Sequence, residues 1–164
     1  MVDDYSIPGP KTSLAKLDSN GFSEFSVQNI EPPKKEKTMR ILVLDTPEGH
    51  LKPLIDAFES ATRQSDNIEQ VTSMDQIMNK LTAGLPWDLL VLDYELGDGQ
   101  IGSKRILSEI RNSRPDMPIL VVADHGDVNI ASQAIQDGAS DFLVRTGDLT
   151  NRVTTLLKKI RPHL

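Results

Sequence analysis

The stretch Leu89-Leu90-Val91-Leu92-Asp93-Tyr94-Glu95-Leu96-Gly97-Asp98-Gly99 sets a carboxylate directly behind four consecutive apolar residues. A run this short, unbroken and rich in branched side chains reads as a strand buried on both faces. Asp93 then stands where that strand meets water, and the glycines behind it mark a turn into the next helix. Two more runs of the same kind are Ile41-Leu42-Val43-Leu44, closed by Asp45, and Ile119-Leu120-Val121-Val122, closed by Ala123 and Asp124. Residues 68–71 and 142–144 are weaker strands, which brings the count to five.

Between the strands the apolar spacing changes to that of helices. Leu54, Ile55, Phe58 and Ala61 share one face, as do Met74, Ile77, Met78 and Leu81. Ile106, Leu107 and Ile110 follow, then Val128, Ala131, Ala134 and Ile135, and last Val153, Leu156, Leu157 and Ile160. Ser73 and Gln76 have capping-box spacing, Asp127 suits an N-cap, and Gly138 falls where a helix ends. Pro53 predicts a late start or a bend in the first helix. The pattern is (βα)₅, an α/β chain with a doubly wound parallel sheet of five strands and helices on both faces. Residues 39–161 form this domain, residues 1–38 are an irregular extension or linker rich in Pro, Ser, Asn and Lys, and 162–164 are the C-terminal end.

The chain has 164 residues, enough for one domain with a proper core and an appendage. Hydrophobic residues at 38% and charged residues at 26% are ordinary globular usage. With 18 Lys and Arg against 24 Asp and Glu, the formal charge of −6 speaks against direct binding of a nucleic-acid backbone. Lys34-Lys35-Glu36-Lys37, behind two prolines, reads as a solvated linker. No apolar run approaches the length that spans a membrane, no leader pattern opens the chain, and there is no cysteine, so a cytoplasmic setting is the expectation.

In an open parallel sheet, the carboxyl ends of the strands form the ligand-binding edge. Here that edge receives Asp45, Asp93, Asp124 and Arg145. Carboxylates brought together raise one another's pKa unless a cation intervenes, and such a set suits Mg²⁺ and phosphate oxygens. A carboxylate attacks phosphorus without a general base and gives an acyl phosphate, and a guanidinium beside it matches the phosphoryl oxygens.

These residues carry a resemblance. ILVLD at 41–45, DLLVLDYELGDG at 88–99, PILVVAD at 118–124 and DGASDFLVR at 137–145 resemble the receiver domain of bacterial two-component response regulators, over about residues 39–161. Ala123 lies 30 residues and Arg145 52 residues beyond Asp93, in the family's register for its hydroxyl and its basic residue. The resemblance implies a flavodoxin-like sheet of order 2-1-3-4-5. It implies that Asp93 accepts a phosphoryl group from the phosphohistidine of a sensor histidine kinase or phosphotransfer protein. Arg145 is then the phosphate-side cation, Asp45, Asp93 and Glu95 the metal side for Mg²⁺, and Ala123 and Phe142 the switch positions. Such a domain signals rather than turning over a substrate, regulates a partner or an output domain outside this chain, and dimerises in the family through its later helices.

The active site is atypical. Thr46 replaces the second carboxylate after the first strand, which weakens the metal site, and Glu48 or Glu95 is a substitute at hand. Ala123 replaces the hydroxyl that bonds the phosphoryl group, and Arg145-Thr146 replaces Lys-Pro. These losses support an alternative reading, a pseudo-receiver that acts as a phosphorylation-independent interaction or dimerisation module. A third reading is nucleotide binding, because Gly97-Asp98-Gly99-Gln100-Ile101-Gly102 matches G-x-G-x-x-G and Asp124 lies 22 residues beyond Gly102. That fingerprint belongs directly behind the first strand of its unit, and here two βα units come earlier.

Overall fold

Strands covered on both faces need helices above and below them, and the computed structural model shows five of each in strict alternation. It describes residues 37–95 and 100–161. Residues 1–36 of the expected extension, the Gly97-Asp98-Gly99 turn and the end at 162–164 fall outside these residues. The elements are β1 (Arg40–Leu44), α1 (Lys52–Ala61), β2 (Asn67–Val71), α2 (Met74–Thr82), β3 (Leu89–Asp93), α3 (Gln100–Ser113), β4 (Ile119–Ala123), α4 (Val128–Gln136), β5 (Asp141–Val144) and α5 (Leu149–Ile160). All strand pairs are parallel, in the order β2-β1-β3-β4-β5. The expected (βα)₅ flavodoxin-like fold is therefore the observed one.

Alternation along each central strand divides the core in two. Ile41 and Val43 of β1, Leu89 and Val91 of β3, and Leu120 and Val122 of β4 face α1 and α5, where they meet Leu54, Phe58, Val153 and Leu157. Leu42, Leu44, Leu90, Leu92, Ile119 and Val121 face the opposite side and pack with Ile77, Leu81, Leu107, Ile110 and Ala134. The register Ile41↔Leu89 keeps like faces together across the sheet. A one-residue slip would exchange both layers at once. Edge strands β2 and β5 are only partly buried, which is why their apolar signal is weaker.

Local signals hold with small shifts. Pro53 lies in the first turn of α1, where a missing N–H costs no helical bond, so the helix begins there without delay. Ser73 Oγ accepts from the Gln76 N–H at 3.3 Å, but the Gln76 side chain reaches back to the Thr72 N–H at 2.9 Å, one residue before the cap. Asp127 caps α4 through the N–H groups of Asn129 and Ile130. Gly138, at φ +116°, takes the backbone out of α4. Strand β3 runs one residue further than its apolar text, so Asp93 is itself a strand residue, paired with Val122.

Opposite the carboxyl edge, Asp66 fastens the start of the sheet. Its side chain accepts from the N–H of Met39 at 2.9 Å and of Arg63 at 2.8 Å, and pairs with Arg161 at 2.5 Å. Burial pushes its pKa up, but the Arg63 and Met39 N–H groups and Arg161 outweigh that, and the net direction is down. A depressed carboxylate contributes stability above its unfolded pKa of about 4, lost as pH falls through the folded value. Asp66→Ala is expected to cost about 2 kcal/mol in urea unfolding at pH 7. The gap between variant and parent closes as the pH drops below about 4, and a gap independent of pH contradicts this assignment.

Candidate functional site

The parallel strands end together, and each delivers its last residue to one edge. Asp45 follows β1, Asp93 closes β3, Ala123 closes β4 with Asp124 behind it, and Arg145 follows β5. The backbone ties these ends across the sheet: Tyr94 N–H donates to Val122 O at 2.7 Å and Arg145 N–H to Ala123 O at 2.8 Å.

Asp93 is fully buried. Its Oδ1 accepts from the Glu95 N–H at 2.9 Å. Its Oδ2 has no hydrogen-bond partner and lies 4.0 Å from Arg145 Nη1. Burial raises the pKa of this carboxyl, with the Glu95 N–H and Arg145 holding it down in part and the charges of Glu95 and Asp45 pushing it up. An unpaired lone pair in a closed site is expensive to keep, and a group that carries this cost is a candidate for chemistry.

Arg145 has a side chain only 7% exposed. It forms an ion pair with Asp124 and donates through Nη1 to the carbonyl of His50, in the loop before α1. The guanidinium is thereby anchored from β4 and from the β1–α1 loop while facing Asp93. Asp124, behind the end of β4, holds Arg145 by this pair. Neither the His50 carbonyl nor Gln70 was anticipated, since a carbonyl has no signature in the sequence and Gln70 stands on the exposed edge strand.

Asp45 is also fully buried, but both of its oxygens are occupied. Oδ1 accepts from the N–H of Thr46 at 2.7 Å and of Leu51 at 3.0 Å, and Oδ2 from Gln70 Nε2 at 2.9 Å. It folds the β1–α1 loop over the end of β1. Thr46 Oγ1 is buried without a partner. Glu95 and Glu48 are exposed. Among the described residues no three acidic or imidazole side chains gather closely enough to hold a metal ion. The donor set present, one free carboxylate oxygen and one neutral hydroxyl, does not fit a hard divalent cation well, because such an ion wants concentrated negative charge.

At the switch positions, Ala123 is buried and offers only a methyl group. Phe142 packs edge-on to Tyr94, with ring centres 6.4 Å apart. A side chain at Gly126 would come within 2.8 Å of the Phe142 ring and of Val144, so a glycine is what lets this ring lie under the β4–α4 loop. The glycine pattern read as a nucleotide fingerprint has Gly97 and Gly99 outside the described residues, while Gly102 lies within α3 behind the central strand rather than the first.

A doubly wound parallel sheet with a buried carboxylate at the end of its central strand and a cation on the last is an α/β domain whose ligand edge lies at the carboxyl ends of its strands. The chain belongs to the response regulator receiver domain family, whose model matches residues 41–157. The family match supports the receiver reading. Phosphorylation on aspartate is general to the family, and receiver domains generally hold Mg²⁺ at that site. Among curated relatives, the chain is 31% identical over 74 residues to the luminescence regulatory protein LuxO of Vibrio campbellii, covering 45% of this chain and 16% of LuxO. It is 28% identical over 117 residues to the photosynthetic apparatus regulatory protein RegA of Rhodovulum sulfidophilum, covering 71% of this chain and 61% of RegA. It thus spans less than two thirds of the length of either. The beryllofluoride-activated NtrC4 receiver domain dimer has the same fold at TM-score 0.62 and 24% identity, covering 76% of this chain and 97% of that one. The signal receiver domain of a Vibrio parahaemolyticus LuxO repressor protein matches at TM-score 0.62 and 20% identity, covering 77% and 92%. Receiver domains are signalling domains that interact with histidine kinases or phosphotransfer proteins, and some of the similar structures are dimers. No helix among the described residues is long and apolar enough to cross a membrane.

A raised carboxyl pKa destabilises the fold at neutral pH. The folded state binds the proton more tightly than the unfolded one, so stability falls as pH rises from about 4 through the folded value. Asp93→Asn is expected to raise the thermal midpoint at pH 7 by about 3 °C. The advantage disappears below about pH 4, and a lower midpoint in the variant at pH 7 contradicts the assignment.

Proposed function

We propose that Asp93 is the phosphoacceptor of this receiver domain, and the observation that carries the reading is its buried Oδ2, free of hydrogen bonds and faced by Arg145. In the ionised form Oδ2 attacks the phosphorus of a phosphohistidine, the P–N bond breaks, and the imidazole leaves with its electron pair and takes up a proton. The product is an acyl phosphate whose charge meets the guanidinium of Arg145. A buried carboxylate with few hydrogen bonds disperses its charge poorly, which favours this attack. The donor is a sensor histidine kinase or phosphotransfer protein, and the regulated element is a partner or an output domain outside the described residues. Of the metal-side set, Asp93 supplies the one free carboxylate oxygen, while Asp45 organises its loop and Glu95 contributes its backbone N–H. The 39–161 boundary and a homodimer belong to the same proposal.

One observation favours the pseudo-receiver alternative: Ala123 has no hydroxyl with which β4 could bond a phosphoryl group. Labelling decides between them. Protein given acetyl phosphate or a phosphorylated kinase is expected to gain one phosphoryl group by intact-mass analysis, with Asp93→Asn reducing the yield at least about 100-fold. Unlabelled native protein, or an equally labelled variant, removes Asp93 as acceptor.

A further inference from the structure

We propose that the guanidinium of Arg145, positioned by Asp124, is the resident cation of the Asp93 pocket and stands in for a divalent metal there. The inference rests on the phosphoacceptor reading and goes beyond it by naming what balances the charge. Phosphoryl transfer to a buried carboxylate brings two anions together, so a cation must already be in place. In this site the charge that would attract a metal is largely spent. Asp45 gives one oxygen to two backbone N–H groups and the other to Gln70. Thr46 offers a hydroxyl where a second carboxylate would be needed.

Arg145, by contrast, is built in. Its side chain is almost wholly buried, and a guanidinium keeps its charge there because its pKa is so high. Asp124 and the His50 carbonyl hold its Nη atoms from two different loops. The spacing to Asp93 is part of the device. At 4.0 Å, Nη1 is near enough to attract charge on Oδ2 but does not hydrogen-bond it, so the nucleophile is not capped. Asp124 is therefore a positioning residue: it holds Nη2, and without it the guanidinium keeps only the His50 carbonyl on Nη1 and can turn toward Oδ2, occupying the lone pair that attacks phosphorus. Arg145 Nε, buried without a partner, is a further donor for an incoming phosphoryl oxygen.

The test measures phosphoryl incorporation from acetyl phosphate by intact-mass kinetics, with Mg²⁺ or with EDTA, in the native protein and in Asp124→Asn, Asp124→Glu and Arg145→Gln. Circular dichroism confirms that each variant is folded, which a half-exposed Asp124 makes readily achievable. The native rate is expected to agree within about threefold in the two buffers, since Arg145 needs no metal. Asp124→Asn and Arg145→Gln each lower the EDTA rate about tenfold or more, and Asp124→Glu restores it, as an ion-pair role requires and a loop-packing role does not. Labelling that occurs with Mg²⁺ and vanishes in EDTA overturns the inference while leaving Asp93 as the acceptor. An Asp124→Asn rate equal to native also overturns it. Absence of label in both buffers overturns the phosphoacceptor reading itself, and the inference with it.

Discussion

Three adjacent strands with no solvent-facing side are the constraint on which the molecule depends. β1, β3 and β4 bury side chains above and below the sheet, so every backbone polar group in them must be met by a neighbouring strand and every face by a helix. Parallel pairing with helical crossovers meets both demands. It also sends the strand ends in one direction, which is how residues far apart in the chain come to share an edge. The site is a by-product of core packing before it is anything chemical.

Burial then sets the chemistry. A carboxylate on a surface loop would be solvated and of low nucleophilicity, but Asp93 closes a strand that is buried on both faces. Its free oxygen is kept from water and answered only by a guanidinium at 4.0 Å. Asp45 begins as the same residue type at the equivalent end of β1 and reaches the opposite outcome. Three donors, two backbone N–H groups and Gln70, engage both of its oxygens. Two aspartates in equivalent positions thus divide into one engaged through both oxygens and one with a free oxygen, according to the donors the neighbouring loop supplies.

That division marks the limit of what can be read from text. Four-residue apolar runs ending in Asp45, Asp93 and Ala123-Asp124 are legible because burial on both faces leaves no polar residue inside the strand. The edge strands are fainter because residues such as Glu69 and Gln70 stand on partly exposed surface. Juxtaposition of Asp93 with Arg145 follows from topology alone, since both stand at carboxyl ends. What does not follow is which oxygens are already engaged. The donors to Asp45 are backbone groups or an unremarkable glutamine, and one partner of Arg145 is a carbonyl, so neither leaves a trace in residue type. Asp124 was visible as a charge near the mouth, but its partner was not, because distance across a loop has no expression in spacing.

The same guanidinium bears on how a charge on Asp93 is felt elsewhere. Ala123 rules out a hydroxyl drawn inward from the end of β4, yet β4 is still connected to the site, because Asp124 follows Ala123 directly and grips Arg145. On the other side the His50 carbonyl connects Arg145 to the loop that Asp45 shapes. Negative charge at Oδ2 attracts the same guanidinium that Asp124 and the His50 carbonyl hold, so the three groups are linked through one cation. The β4–α4 loop that would respond is the one whose Gly126 accommodates Phe142, which in turn packs edge-on to Tyr94 beside Asp93. With a methyl group at position 123, the polar link between β4 and the pocket is the Asp124–Arg145 ion pair one residue further on.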